Sequence, residues 1–183
     1  MKILLDTISI CGKPVERPTQ SAWDNFARIL GTELPDDYKE FVSTLGTGVI
    51  DDFLWIFNPA STNPHLNLFT QRDECLSALR VVSDHGEPIP YGTFPENGGL
   101  LPFGATDNGD VLYWITRGRP ADWKVVVNES RGPAWVEYSM GFSRLLGDLL
   151  RGHIQCPIFP HDFPRTRIFK PAIQQNRLPK NEA

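Results

Sequence analysis

Residues 100–118, LLPFGATDNGDVLYWITRG, constrain the fold more than any other stretch. Two apolar runs flank Asp107-Asn108-Gly109-Asp110. Asn-Gly between apolar runs predicts a hairpin whose type I′ turn needs positive φ at both central residues. The second run, Val111-Leu112-Tyr113-Trp114-Ile115, is apolar on both alternating faces. A strand of that kind is covered on both sides. It is therefore expected at the centre of a sheet, with the remaining elements packed on it.

The flanking chain supplies both strands and helices. Residues 2–10 read as a short strand or an arm, and 11–19, with Gly12, Pro14 and Pro18, as a linker. Ser21 is the expected cap of a helix over 22–30, stopped by Gly31. A second helix starts at Pro35 and ends at Gly46, with Tyr38, Phe41, Val42 and Leu45 on one face. Residues 48–50 and 53–57 read as a strand pair or one bent strand around Asp51-Asp52. A third helix is expected over 66–83, a loop over 85–99, and strands over 123–129 and 134–139. The last helix runs over 142–150, with Phe142, Leu145, Leu146, Leu149 and Leu150 on one side. Beyond His153 the chain carries Pro157, Pro160, Pro164, Pro171 and Pro179 without a period, and reads as extended or disordered.

Composition narrows the function. The chain of 183 residues suggests one domain, large enough to bury a core without a disulfide or metal staple. Eighteen basic and 22 acidic residues leave a net charge of −4. Residues 161–183 carry five Lys or Arg against Asp162 and Glu182, so this tail is +3 and the body before it −7. An acidic body argues against nucleic-acid binding there, while leaving it open for the tail. Cys11, Cys75 and Cys156 are odd in number and form no C-x-x-C, which fits reduced thiols and a cytoplasmic location. No apolar run approaches the length of a spanning helix, so no membrane partner is expected.

Three motifs together carry a family resemblance. Leu34-Pro35-Asp36-Asp37-Tyr38-Lys39-Glu40-Phe41, closing in Leu45-Gly46-Thr47-Gly48, resembles the opening motif of the SUKH superfamily. Residues 101–110, LPFGATDNGD, and residues 140–146, MGFSRLL, follow in that family's order. The superfamily includes yeast cell-wall assembly regulators and many bacterial immunity proteins. The resemblance implies an α+β fold with a mostly antiparallel sheet of five to six strands, flanked by N-terminal helices and a C-terminal helix. It divides the chain into an arm and linker at 1–18, a SUKH-like domain at 19–152 and a Pro-rich basic tail at 153–183. It also implies a non-enzymatic binding module without a cofactor. Bacterial members typically neutralise a toxin, often a nuclease, and eukaryotic members act as regulatory scaffolds.

The chemistry-bearing residues favour binding over catalysis. Asp107-Asn108-Gly109-Asp110 reads as a turn, since an EF-hand loop needs further oxygen ligands and a closing Glu. Asp51 and Asp52, as strand neighbours, point to opposite faces and share no substrate unless a turn brings them round. Gly46-Thr47-Gly48 follows a helix, unlike a nucleotide loop, and Leu145 breaks the nucleophile-elbow pattern at 141–145. His153, Cys156 and His161 match no common zinc spacing. No catalytic residue and no metal ligand is assigned. Most of the five tryptophans are expected in the core; Trp123, behind Gly118-Arg119-Pro120-Ala121-Asp122, has an exposed loop end as its alternative. The expected contact surface lies on the sheet's loop ends, with Asp51, Asp52, Asp107, Asp110 and Asp122 as charges and Trp123 as anchor. A basic toxin domain is the expected partner. The alternative is a scaffold of the cell-wall regulator type that engages its partner through the basic tail.

Overall fold

A computed structural model describes residues 2–172. Its elements, in chain order, are α1 (Lys2–Leu5), β1 (Ser9–Ile10), α2 (Gln20–Leu30), α3 (Asp36–Leu45), β2 (Gly48–Ile50), β3 (Leu54–Ile56) and α4 (Leu68–Asp84). After these come β4 (Leu100–Thr106), β5 (Val111–Ile115), β6 (Lys124–Asn128), β7 (Trp135–Tyr138), α5 (Phe142–Leu150) and β8 (Ile168–Pro171). The class is α+β, as expected, with a larger sheet. Eight strands lie in the order β1-β8-β2-β3-β4-β5-β6-β7, and every pairing is antiparallel except β1 with β8. Strands β2 to β7 form a consecutive meander, and the chain ends extend it past β2, with β8 beside β2 and β1 beside β8.

Caps explain the helix boundaries. Thr19, not Ser21, caps α2: its hydroxyl accepts from Ala22 N at 3.3 Å. Asn67 caps α4 by accepting from Phe69 N and Thr70 N, which sets the start at Leu68 instead of residue 66. Gly141 precedes α5 and has no side chain to cap it, so Asp37 of α3 accepts from Ser143 N at 2.8 Å. Gly46 ends α3 because the chain at Val15 runs against it: a Cβ there would lie 1.8 Å from the Val15 carbonyl oxygen.

The two faces of the sheet are covered differently. Leu112 and Trp114 of β5 point into the main core with Leu54, Ile56, Val125 and Val127. There α3 and α5 contribute Tyr38, Phe41, Phe142 and Leu145. The Tyr38 ring meets Trp114 edge-on at 4.9 Å and Phe142 at 5.4 Å, and its hydroxyl donates to Phe57 O. Burial of aromatic rings of this size is the largest apolar contribution per residue. Tyr113 and Ile115 alternate to the second face, where Leu76 and Leu79 of α4 cover them together with Leu100 and Val126. Strand β5 is thus buried on both sides.

The ends of the chain depart from the sequence reading. Residues 2–5 are helical, and residues 153–172 are not a detached tail. Strand β8 lies between β1 and β2, pairing Phe169 with Ile50 and with Ile10. Phe169 is fully buried, 6.1 Å from the Phe41 ring. Phe159 and Phe163 pack on Phe53. The rest of the basic tail, residues 173–183 with Arg177 and Lys180, lies outside the described residues.

Candidate partner-binding groove

Antiparallel register gathers three turns at one end of the sheet: β2–β3, β4–β5 and β6–β7. Four of the six sequence candidates come together there, and each has a different fate. Asp51 is 5% exposed, and its carboxylate accepts from Arg165 N at 2.8 Å and from Thr166 N and Oγ1 at 2.7 Å each. It fastens the returning chain to the sheet, so its carboxylate is not open to a partner. Asp110 is 3% exposed and accepts from Thr106 Oγ1 at 2.7 Å and Ser130 N at 3.1 Å, joining two turns. Asp52 is exposed and ion-paired with Lys170. Asp107 is exposed, and its Oδ1 accepts from Trp55 Nε1 at 2.8 Å. Among the described residues it has no ion pair.

The other two candidates sit at the opposite end, because the β5–β6 connection lies there. Asp122 pairs with Arg119 at 3.0 Å in an exposed 3₁₀ turn. Trp123 is 3% exposed, with its ring centroid 5.8 Å from that of Trp114. The alternative of an exposed Trp123 anchor is therefore corrected. The turn at Pro120–Asp122 reverses the chain and aims the indole inward, where Nε1 donates to Gly118 O at 3.4 Å.

Sequence reasoning missed Trp55. It alternates with the core residues Leu54 and Ile56 and so lies on the second face of the sheet. Cross-strand register places it in one row with Val49, Ala105 and Lys170. A register shift between Pro102 and Gly104 sends Phe103 into the core and returns Ala105 to this row. The result is a groove of about 370 Å³, lined by Trp55, Ala105, Asp107, Leu66, His65 and Gln71 among others. Trp55 is half-buried in it. Trp23, Trp114, Trp123 and Trp135 each pack against another aromatic ring. Among the described residues Trp55 packs against none.

The groove's far wall is a hydrogen-bonded loop, residues 58–67. Buried Asn58 donates to Glu16 O at 2.9 Å and Thr47 Oγ1 at 2.8 Å, and accepts from Ala60 N. Glu16 accepts in turn from Thr62 N at 2.8 Å and Thr62 Oγ1 at 2.6 Å. Asn63 accepts from His65 N, and Gln71 donates to Pro64 O and Glu74. A wall held by this many local bonds presents a pre-formed surface, which lowers the ordering loss on binding. The row itself carries one signal visible in sequence: a tryptophan at the middle of a three-residue alternation. Whether that tryptophan is covered depends on the tertiary placement of α4 and the loop before it.

The cysteines are free, and burial together with the neighbouring Glu74 charge raises the Cys75 thiol to about 11. The described residues hold no group of three or more His, Cys, Asp or Glu arranged for a metal. None of their helices is long and apolar enough to cross a membrane.

An α+β domain with a meander sheet, helices on both faces and an open groove at one sheet end is thereby defined. The profile of the SMI1-KNR4 cell-wall family, SUKH_6, matches residues 20–146, and the chain belongs to the SUKH superfamily. The match covers α2 through most of α5; α1, β1 and β8 lie outside it. Searches of curated proteins and of solved structures found no significant match.

Proposed function

We propose that the chain is a non-enzymatic protein-binding module: an immunity protein that binds and neutralises a polymorphic toxin in the cytoplasm. One observation carries the reading. Trp55 and Asp107 share a pre-formed groove, and among the described residues the ring has no aromatic partner and the charge no ion pair. A half-exposed tryptophan in a pocket has the chemistry of a binding anchor. Family membership supports the class, and net acidity supports a basic partner such as a nuclease domain, since opposite charge speeds encounter. The test is capture with the purified full chain from lysate of its own source, followed by co-expression of the captured domain. Toxicity of that domain alone, relieved by the chain, supports the proposal. A captured domain that is harmless, or whose toxicity the chain leaves intact, overturns it.

The family's cell-wall description favours a second reading, a regulatory scaffold. The discriminating deletion is residues 173–183, because removing 161–183 would also excise β8. Loss of an endogenous regulator on that short deletion supports the scaffold.

A further inference from the structure

We infer that the groove seats one arginine side chain of the protein partner, with the Trp55 ring as platform and Asp107 as counter-ion. This rests on the reading of the chain as a protein-binding module and gives that module's contact its chemistry.

Three features select a cation. The Trp55 indole lies against no other ring among the described residues, and no described cation sits over it. An indole face is the strongest aromatic site for a cation. Asp107 accepts the indole N–H at 2.8 Å, so a full negative charge stands at the edge of that face. A group lying over the ring is therefore beside the carboxylate as well. Oδ2 and the second lone pair of Oδ1 remain as acceptors. Finally, no lysine or arginine lines the groove, whereas Asp52 and Asp122 are each paired by a cation of this chain. Of the exposed acids predicted for the contact, Asp107 alone lacks a counter-ion among the described residues.

A guanidinium fits better than an ammonium. It is planar and stacks flat on an indole, and its N–H fork reaches a carboxylate alongside. Ala105, small at this point of the row, leaves room over the ring.

The test titrates the ¹⁵N-labelled full chain with N-acetyl-arginine methylamide and follows the five indole N–H resonances. The Trp55 resonance should shift saturably at millimolar concentration. The uncharged isostere N-acetyl-citrulline methylamide should bind at least roughly fivefold more weakly. Asp107→Asn should weaken the arginine probe by about fivefold, with the other four indole resonances unmoved. No saturable shift at Trp55, an equal response to the citrulline probe, or full affinity in Asp107→Asn each overturns the inference. Toxin neutralisation is read separately: a chain that neutralises a toxin but fails these titrations loses the arginine seat and keeps the function. A chain that passes them and neutralises nothing keeps the seat and loses the immunity reading.

Discussion

Two acidic turns lie side by side at one end of the sheet, joined by a hydrogen bond from Asp107 N to Phe53 O at 2.9 Å. The β2–β3 turn places Asp51 and Asp52 at φ 56° and 53°, with Phe53 N bonded to Ile50 O. That is the conformation a type I′ turn requires, built without glycine. The β4–β5 turn, where Asn-Gly predicted type I′, has only Gly109 in the left-handed region, at φ 90°. Gly109 N bonds Thr106 O and Thr106 N bonds Asp110 O, the pattern of a three-residue loop ending in a bulge. The strained turn is the one that something holds. A left-handed L-residue costs roughly 1–2 kcal/mol, and a hydrogen bond to a charged group contributes about 1.5–3 kcal/mol. Asp51 accepts three such bonds from residues 165 and 166. Asp107 receives no chain in return, and its charge faces solvent. What separates a structural from a binding aspartate here is whether a distant segment comes back to it.

Asp51→Ala puts the largest strain on that comparison. It removes three hydrogen bonds, strands two backbone N–H groups, and keeps a side chain at positive φ. The expected loss is about 3–5 kcal/mol in urea unfolding, with Asp51→Gly milder by about 1 kcal/mol because glycine accepts the left-handed backbone. A loss under about 1 kcal/mol would mean that Phe169 and the β8 pairing hold the returning chain by themselves.

Asp148, on α5, supplies a third fate: buried like Asp51, but held by side chains. Its carboxyl is lowered to about 2, first by the hydrogen bond from Arg144, then by Arg151 and His153. A lowered carboxyl pKa contributes stability that is present above the unfolded value near 3.8 and is lost as pH falls toward 2. Asp148→Asn should flatten the stability profile over that window and cost on the order of 1 kcal/mol at neutral pH, since Arg144 is largely exposed. An unchanged acid limb would remove Asp148 from the group that sets it.

Asp52→Gly is smaller and of opposite sign. It relieves a left-handed residue and forfeits an exposed pair with Lys170, whose side chain is 47% accessible. The net expectation is a gain of about 0.5 kcal/mol in thermal unfolding. A clear loss would show that the Lys170 pair helps Asp51 secure β8.

The contrast also explains what local sequence could and could not show. Both Phe53-Leu54-Trp55-Ile56-Phe57 and Val111-Leu112-Tyr113-Trp114-Ile115 are continuous apolar runs. Trp114 is fully buried because it faces the main core beneath α3 and α5, whereas Trp55 lies on the second face, where α4 covers Tyr113 and Ile115 and leaves Trp55 half-exposed. That difference is tertiary, so the hairpin, α3, α5 and the meander were legible while the groove was not. Strand β8 was hidden for a related reason. Its four residues end in Pro171, show no period, and pair with β2 more than 100 residues earlier. The aspartate turn was visible as charge, but two of its carboxylate's three bonds come from backbone N–H groups, which leave no residue-type signature.

Asp107→Asn has the smallest expected effect on the fold and the most specific effect on function. Its carboxylate holds one solvent-facing N–H from Trp55, and an amide oxygen accepts that bond equally well. Stability should stay within about 0.5 kcal/mol of the parent. Association with a basic partner should slow, and its salt dependence should flatten, because steering acts on the encounter rate and is screened by ions. Stopped-flow association at two ionic strengths measures both, with Asp52→Asn as the comparison. Asp52 already has Lys170 beside it, so that comparison variant also carries Lys170→Met, which removes both members of the exposed pair and leaves the local net charge unchanged. Equal slowing in both variants would assign the steering to the whole sheet end. Slowing confined to Asp107→Asn assigns it to the one exposed acid of the two turns that has no ion pair among the described residues.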